Sequence, residues 1–571
     1  MRSIRTARDA LTVVLTLGSA ALFGAPFGCD EALFAPLPGS GADAAPRTGG
    51  TLHLASAFDI RNLDPAGPAD GLAIQAVQLL FAGLVDYDEA GRLVPDLAEH
   101  WEVDDGGRTY RFVLRQGVRM HDGDELTADD VKRSAERALH PSAPNPSASS
   151  FEDLRGYAAF TANGAEHLDG IAVEGRYVVS FRLAEPDAAF LPRLAMQTLR
   201  PVCKSAGDRY VDTWLPCGAG PFKLEAGDWQ RGTSLRVVRH EGYFRPGLPY
   251  LEAVEWTFNM QLFSQRFRFE DGELDLLHEQ TQADAARFLA DPRWKSYSAV
   301  GADTEVWGEA MNTRMPPFDN VEVRRAVAAA IDREHYAMLK PANMAPLTQL
   351  LPRSVPGYDP TFEGQRHDHA AALEHMRKAG FPYDPTHGAK GWPKPIPYTL
   401  TDNSTMAFTA QLLQQDLAQI GLRIELRLMS WPAFLAITSR PGASAMSQQG
   451  WGLDYLDASN FFDPLFSTSA LAAESSTNKA FYSNPDFDDL VARARRELTP
   501  TVRNALYRQA NEILCDEAPW AFAYGIHRFD IHQPYVRGYK PHPVWQVDVS
   551  RVWLDRTTAP LRRRLGMWHP R

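Results

Sequence analysis

Residues Ala410 to Leu428 read A-Q-L-L-Q-Q-D-L-A-Q-I-G-L-R-I-E-L-R-L. Two hydrophobic periods meet at Gly421. Before it, Ala410, Leu413, Leu417 and Ile420 recur every three or four residues and form one stripe of a helix. After it, Leu422, Ile424, Leu426 and Leu428 alternate with Arg423, Glu425 and Arg427, the period of a half-buried strand. Glycine at the junction ends a helix, because without a Cβ it takes left-handed backbone at little cost. A helix that delivers directly into a strand is the unit of an α/β layer, so this stretch predicts an α/β fold class.

The flanking sequence keeps the same alternation. Asp319 and Glu322 form a capping pair, and Val323, Val327 and Ile331 follow at four-residue spacing. Thr499 caps and Pro500 opens a long helix with Val502, Leu506, Ile513 and Leu514 inward. Toward the N-terminus, Thr127 and Asp130 have capping-box spacing, with Val131, Ala135 and Leu139 on one face. From Trp101 two strands surround the turn Asp104-Asp105-Gly106-Gly107, and Tyr110, Phe112 and Leu114 alternate along the second. Ile74 to Leu84 has helical spacing, and Thr51 to Leu54 reads as a strand broken by the loop Asn62-Leu63-Asp64-Pro65.

A chain of 571 residues exceeds one ordinary core and predicts two or three lobes. Its 59 basic and 71 acidic residues give a net charge of −12, which argues against nucleic acid as a partner. Arg2, Arg5 and Arg8 precede the apolar run Ala10 to Ala25, the pattern of an export signal, and residues 1–29 are set aside from the fold. Cys29 follows Pro26-Phe27-Gly28, which resembles a lipoprotein box with Pro26 where leucine is usual. Two readings stand: lipidation at Cys29, or ordinary cleavage nearby. Residues 30–48, rich in Ala, Pro and Gly, predict a flexible tether. In an exported chain the spacing of Cys203 and Cys217 predicts a disulfide, while Cys515, in a helical pattern, reads as a buried free thiol. Residues 561–571 are a basic tail without a clear pattern.

The run L-V-P-D-L-A-E-H-W-E-V-D-D-G-G-R-T-Y-R-F-V-L-R-Q-G-V-R-M-H-D-G-D-E-L-T-A-D-D-V-K-R-S-A-E-R-A-L, Leu93 to Leu139, resembles the signature of the family 5 extracellular solute-binding proteins, the peptide-binding components of ABC importers. Further segments follow in the family's order: Cys217 to Phe222, His240 to Trp256, Asn312 to Asp332, and Gly450 to Phe466, G-W-G-L-D-Y-L-D-A-S-N-F-F-D-P-L-F. The resemblance implies a periplasmic-binding-protein-like fold (type II, cluster C) of three domains with a two-crossing hinge and a buried ligand cleft. Domain I would comprise 49–90, 206–300 and 525–560, domain II 91–205, and domain III 301–524.

In peptide binders of this family, the aspartate of the G-W-x-x-D motif pairs with the ligand's α-ammonium; here that position is Asp454. A primary ammonium in a closed cleft loses its water, so a carboxylate must replace it. Trp451 and Tyr455 are the expected aromatic walls, and Asn312 and Arg440 complete the candidate ligand set. Dipeptide binders of the family clamp the ligand carboxylate with an arginine in the loop after Tyr398-Thr399-Leu400. Here Thr401 to Met406 holds no arginine, and Arg314, Arg353 and Arg440 are the candidate substitutes. His367, His369 and His375 near Asp368 allow a metal reading, but the stretch reads better as a solvated helix start.

The sequence holds no dinucleotide loop, since Pro221 follows Gly218-Ala219-Gly220, and no P-loop or nucleophile elbow. The expectation is a monomeric, non-enzymatic receptor without cofactor or metal. It captures a peptide or peptide-like solute outside the cytoplasmic membrane, in the periplasm, and passes it to an ABC permease. The alternatives are a receptor for a sugar, opine or metal chelate, an exported peptide hydrolase, and a sensor built on the same fold.

Overall fold

Two long antiparallel strands, Ser298–Met311 and Trp520–His532, run through the middle of the molecule. The computed structural model describes residues 45–555 apart from 68–69, 163, 212–213 and 546–547. The export signal, Cys29, most of the tether and the basic tail lie outside the described residues. The two strands belong to a seven-stranded sheet, ordered Leu276–Leu277, Trp520–His532, Ser298–Met311, Met446–Gly452, Ile396–Thr401, Ile424–Met429, with Met344–Pro346 also on Trp520–His532. The two positions where the sequence places the crossings between lobes, near 300 and 525, both fall inside this strand pair. Their backbones approach closely: a Cβ on Gly308 would sit 2.4 Å from the Ala521 carbonyl oxygen.

The helix-to-strand unit forms as its periodicity requires. Helix Ser404–Ala418 opens on Asn403, whose side chain accepts from the amides of Thr405 and Met406. Ala410, Leu413, Leu417 and Ile420 are all buried. Gly421 has φ +78°, and a Cβ there would strike the Tyr383 ring, so the helix stops. Ile396–Thr401 and Ile424–Met429 then pair in parallel. The burial expected along the second strand fades, from Ile424 inside to Leu428 at 47% exposed. This strand is the sheet edge, and only one end of it is covered.

A four-stranded antiparallel sheet, ordered Ala98–Asp104, Thr109–Leu114, Val178–Arg182, Ile171–Gly175, forms a separate layer. Tyr110, Phe112 and Leu114 are buried as alternation predicts. Thr127 and Asp130 close the expected cap, the carboxylate accepting from the Thr127 amide at 3.0 Å and hydroxyl at 2.8 Å. A five-stranded sheet, in which Thr51–Ala55 lies parallel to Ala253–Thr257, supports the N-terminal segment. Cys203 and Cys217 form a disulfide. Cys515 is a free, half-buried thiol that burial pushes up to about 12.

Three local readings are corrected. Asn320 caps helix Val321–Ala330 in place of Asp319, accepting from the Glu322 amide, because the chain turns one residue later. The first helix is Gly71–Leu80, capped by Asp70, where spacing alone suggests 74–84. Val502 is exposed at 47%: it lies in the first turn of Pro500–Glu517, before that helix meets the core through Leu506 and Leu514.

Candidate functional site

Strand Met446–Gly452 brings the G-W-x-x-D segment alongside Ser298–Met311, Gly450 facing Trp307 and Gly452 facing Glu305. Side chains alternate along a strand, so Glu305, Trp307 and Glu309 share one face. A Cβ on Gly450 would lie 2.4 Å from the Trp307 ring, so only glycine leaves room for the indole. Trp307 stacks parallel to Tyr524 at 6.2 Å and donates its Nε1–H to Glu305 at 2.8 Å. Burial raises the Glu305 carboxyl, and the indole bond only partly offsets it. Glu309 is fully buried; burial pushes it up to about 8, against the hydrogen bond from Tyr398.

Past the strand, the Leu453 amide donates to the Thr304 carbonyl at 3.0 Å, placing Asp454 at the rim of the same face. Asp454 is reached by solvent, yet the surrounding protein is dense enough to raise its carboxyl. Its side-chain partner is Asn460, whose amide donates to it at 3.1 Å. Asp457 has a different environment. It is buried and takes Arg503 in a two-point bond at 2.5 and 2.7 Å.

Beside this rim lies a cavity of about 710 Å³. Its walls come from both ends of the chain and from the strand pair, and include Phe58, Arg61, His278, Glu305, His527 and Arg528. Phe58 is 69% exposed, a large ring left open beside this space. Behind the wall, His527 and Arg353 both approach Asp303, at 3.1 and 3.4 Å.

The other expected site residues have other duties. Trp451 points to the face opposite Trp307, packs against the core shared by Phe461, Phe462 and Val306, and has its Nε1 out of water's reach. Tyr455 is buried against Ala189 and Met196, its hydroxyl 3.2 Å from Ser459. Asn312 is 1% exposed, donating to the Ser444 carbonyl and accepting from the Arg314 amide. Arg440 is 60% exposed and faces Glu474 at 3.8 Å. Of the candidate substitute cations, Arg353 alone stands near the cavity, through Asp303; Arg314 is exposed elsewhere and lines no described cavity. His367 and His375 are held apart by separate partners, the Ala330 carbonyl and Glu322.

Sequence reasoning missed Glu305, Trp307, Arg61 and His278. One signal was available for the first: two glutamates, Glu305 and Glu309, bracketing Val306-Trp307-Gly308 in the apolar end of the strand. Arg61 and His278 stand alone in their segments and carry no pattern.

Residues 92–472 match the profile of the bacterial extracellular solute-binding proteins, family 5 Middle. A protein named "Probable di/tripeptide-binding protein 5" from Pseudomonas aeruginosa (strain UCBPP-PA14) is 28% identical over 506 residues, spanning 84% of this chain and 91% of that protein. The "Probable deoxycholate-binding periplasmic protein YgiS" of Escherichia coli (strain K12) is 29% identical, over 85% of this chain and 89% of its own. Among solved structures, DppA from Helicobacter pylori in complex with the peptide STSA superposes with a TM-score of 0.72 at 25% identity, covering 89% of this chain and 99% of that one. The clavulanic acid biosynthesis oligopeptide binding protein 2 reaches 0.78 at 23% identity over 89% and 96%, a likeness of fold.

Proposed function

As a member of the family 5 bacterial extracellular solute-binding proteins, this chain binds a solute outside the cell membrane, and we propose that the solute is a peptide whose ammonium end is held by Asp454. The observation that carries this reading is the state of that side chain. Asp454 is exposed, bonded to one neutral amide and raised by the protein packed around it, so it is open to a cation that no neighbour supplies among the described residues. A peptide ammonium supplies the charge that offsets the lost hydration. Binding requires the ionised carboxylate, so affinity falls as pH drops through the pKa of Asp454. That loss begins at higher pH than for an ordinary aspartate.

In this reading the three expected domains are the moving bodies. The strands Ser298–Met311 and Trp520–His532 are the two crossings of the hinge, and closure buries the ligand. The chain acts without chemistry, as a monomer, and its partner is an ABC permease. Lipid at Cys29 tethers it, and Cys29→Ala releases it from the membrane fraction.

The test is a double-mutant cycle by calorimetry on di- and tripeptides and their N-acetyl forms. Removing one partner of a desolvated charge pair costs roughly 2–5 kcal/mol, or about 30-fold to a few thousand-fold in affinity. Asp454→Asn is expected to lose that much, and N-acetylation to hurt the wild type far more than the mutant. Equal penalties in the two proteins would remove Asp454 from the amine and the peptide reading with it.

A further inference from the structure

The cavity beside the strand pair has an imbalance between its acceptors and its donors. Each of its acids has a fixed donor on at least one oxygen, the buried Oδ1 of Asp59 being left without a partner. Asp70 accepts from the Ala73 amide at 2.8 Å, and Asp59 from the Gly232 amide at 2.9 Å. Glu279 takes the Ser56 hydroxyl and the Ala57 amide, both at 2.7 Å, and Glu305 takes the Trp307 indole. Two of its donors have none. His278 lines the cavity with both ring nitrogens shut off from water and without a hydrogen-bond partner. Arg61 lines it too, exposed, and among the described residues its guanidinium makes no hydrogen bond or ion pair.

Leaving the buried ring of His278 unpaired is costly, and a protein keeps such a group where something else pairs it; Arg61 is exposed beside it and free to join. Burial, helped by Arg528, holds the His278 ring down to about 3, so it is neutral and offers one N–H. Arg528, held 3.1 Å from Asp530, adds positive potential to the same wall. A planar carboxylate matches this set: a guanidinium fork takes both its oxygens, and an imidazole N–H takes a remaining lone pair.

We propose that Arg61 and His278 receive the carboxylate end of the ligand, replacing the arginine that loop Thr401–Met406 lacks. The assignment rests on the peptide reading, with the ammonium at Asp454. The ligand's anionic end is then read by the segments around 57–61 and 278–279, and its cationic end by the rim at Asp454. The cleft selects for zwitterions through two separate walls.

The probe is an equimolar mixture of synthetic di- to tetrapeptides with free C-termini, and the same mixture as C-terminal amides. Each is incubated with the full chain, and retained species are counted by native mass spectrometry. The wild type is expected to retain the acids about tenfold over the amides. Arg61→Gln and His278→Gln bring that ratio close to one, and Arg61→Lys recovers part of it. Asp454→Asn lowers both mixtures together and leaves the ratio unchanged. Arg61 is exposed, so its variants keep the test valid should His278→Gln fold poorly. Equal retention of acids and amides by the wild type overturns this inference and leaves the peptide reading standing. A preference for acids that survives both substitutions overturns the assignment to these two residues. Retention of neither mixture overturns both readings.

Discussion

Asp454 and Asp457 stand three residues apart in one aspartate-rich segment and have opposite environments. Asp457 is buried and completed from within: Arg503 meets both its oxygens, and Ser459 gives it an amide and a hydroxyl at 2.8 and 2.7 Å. Asp454 is exposed just past the strand end, accepts from Asn460, and is raised by the surrounding protein, with no cation beside it among the described residues. The first carboxylate holds the loop in shape. The second is held in place by that loop and kept without a countercharge. The segment thus separates two environments: a buried acid paired within the fold gives rigidity, and its neighbour stays open to solvent.

The comparison breaks most readily at Arg503. Removing one partner of a buried pair leaves the other charge stranded, at about 3–5 kcal/mol. Arg503→Ala should lose that much stability in denaturant unfolding, while Asp454→Asn, which strands nothing, should stay within about 1 kcal/mol of wild type. Similar losses in the two variants would erase the distinction between them.

Asp463, the third acid of the segment, sharpens it. Burial pushes its carboxyl up to about 7, with Asp187 adding to the rise and Arg495 opposing it. Between pH about 4 and about 7 the folded state holds a proton that the unfolded state has released, so stability falls as pH rises through this window. Asp463→Asn should flatten that slope, on the order of 1–2 kcal/mol after allowance for its partial exposure. An unchanged pH profile in the variant would mean that Asp463 titrates normally. Arg440→Ala sets the lower bound. Its exposed pair with Glu474 should be worth less than about 0.5 kcal/mol, and peptide affinity should move less than about twofold. A large loss of affinity would return Arg440 to the ligand set.

The layers of this fold were legible because they rest on period. The stripe from Ala410 to Ile420, the alternation from Tyr110 to Leu114 and the glycine stop at Gly421 are local, and the structure keeps each. Leu428 and Val502 broke their patterns because exposure at a sheet edge or in a first helical turn depends on neighbours distant in the chain. The roles of Asp454 and Asp457 cannot be told apart in the string, since the partner that separates them, Arg503, lies 46 residues on. Trp451 drew attention as the tryptophan of the motif, whereas the indole beside Glu305 is Trp307, which belongs to the partner strand. Gly450 was visible as a motif glycine, and the reason for it, the ring it leaves room for, was not.

The strand pairing also dictates a history. The His53 amide bonds Asp275, 222 residues later, and the Trp545 indole reaches Asp86 across 459 residues. The central strand of the cleft sheet, Ser298–Met311, is flanked on one side by Trp520–His532. The strands of that sheet are drawn from residues 276 to 532, so its loops must close over long distances before pairing returns any energy, the condition for slow folding. A chain that ends before residue 520 lacks the strand beside Trp307 and leaves a long edge unpaired. The face that carries Trp307 is therefore completed only when strand Trp520–His532 docks, although Asp454, proposed to meet the ammonium, was synthesised well before it.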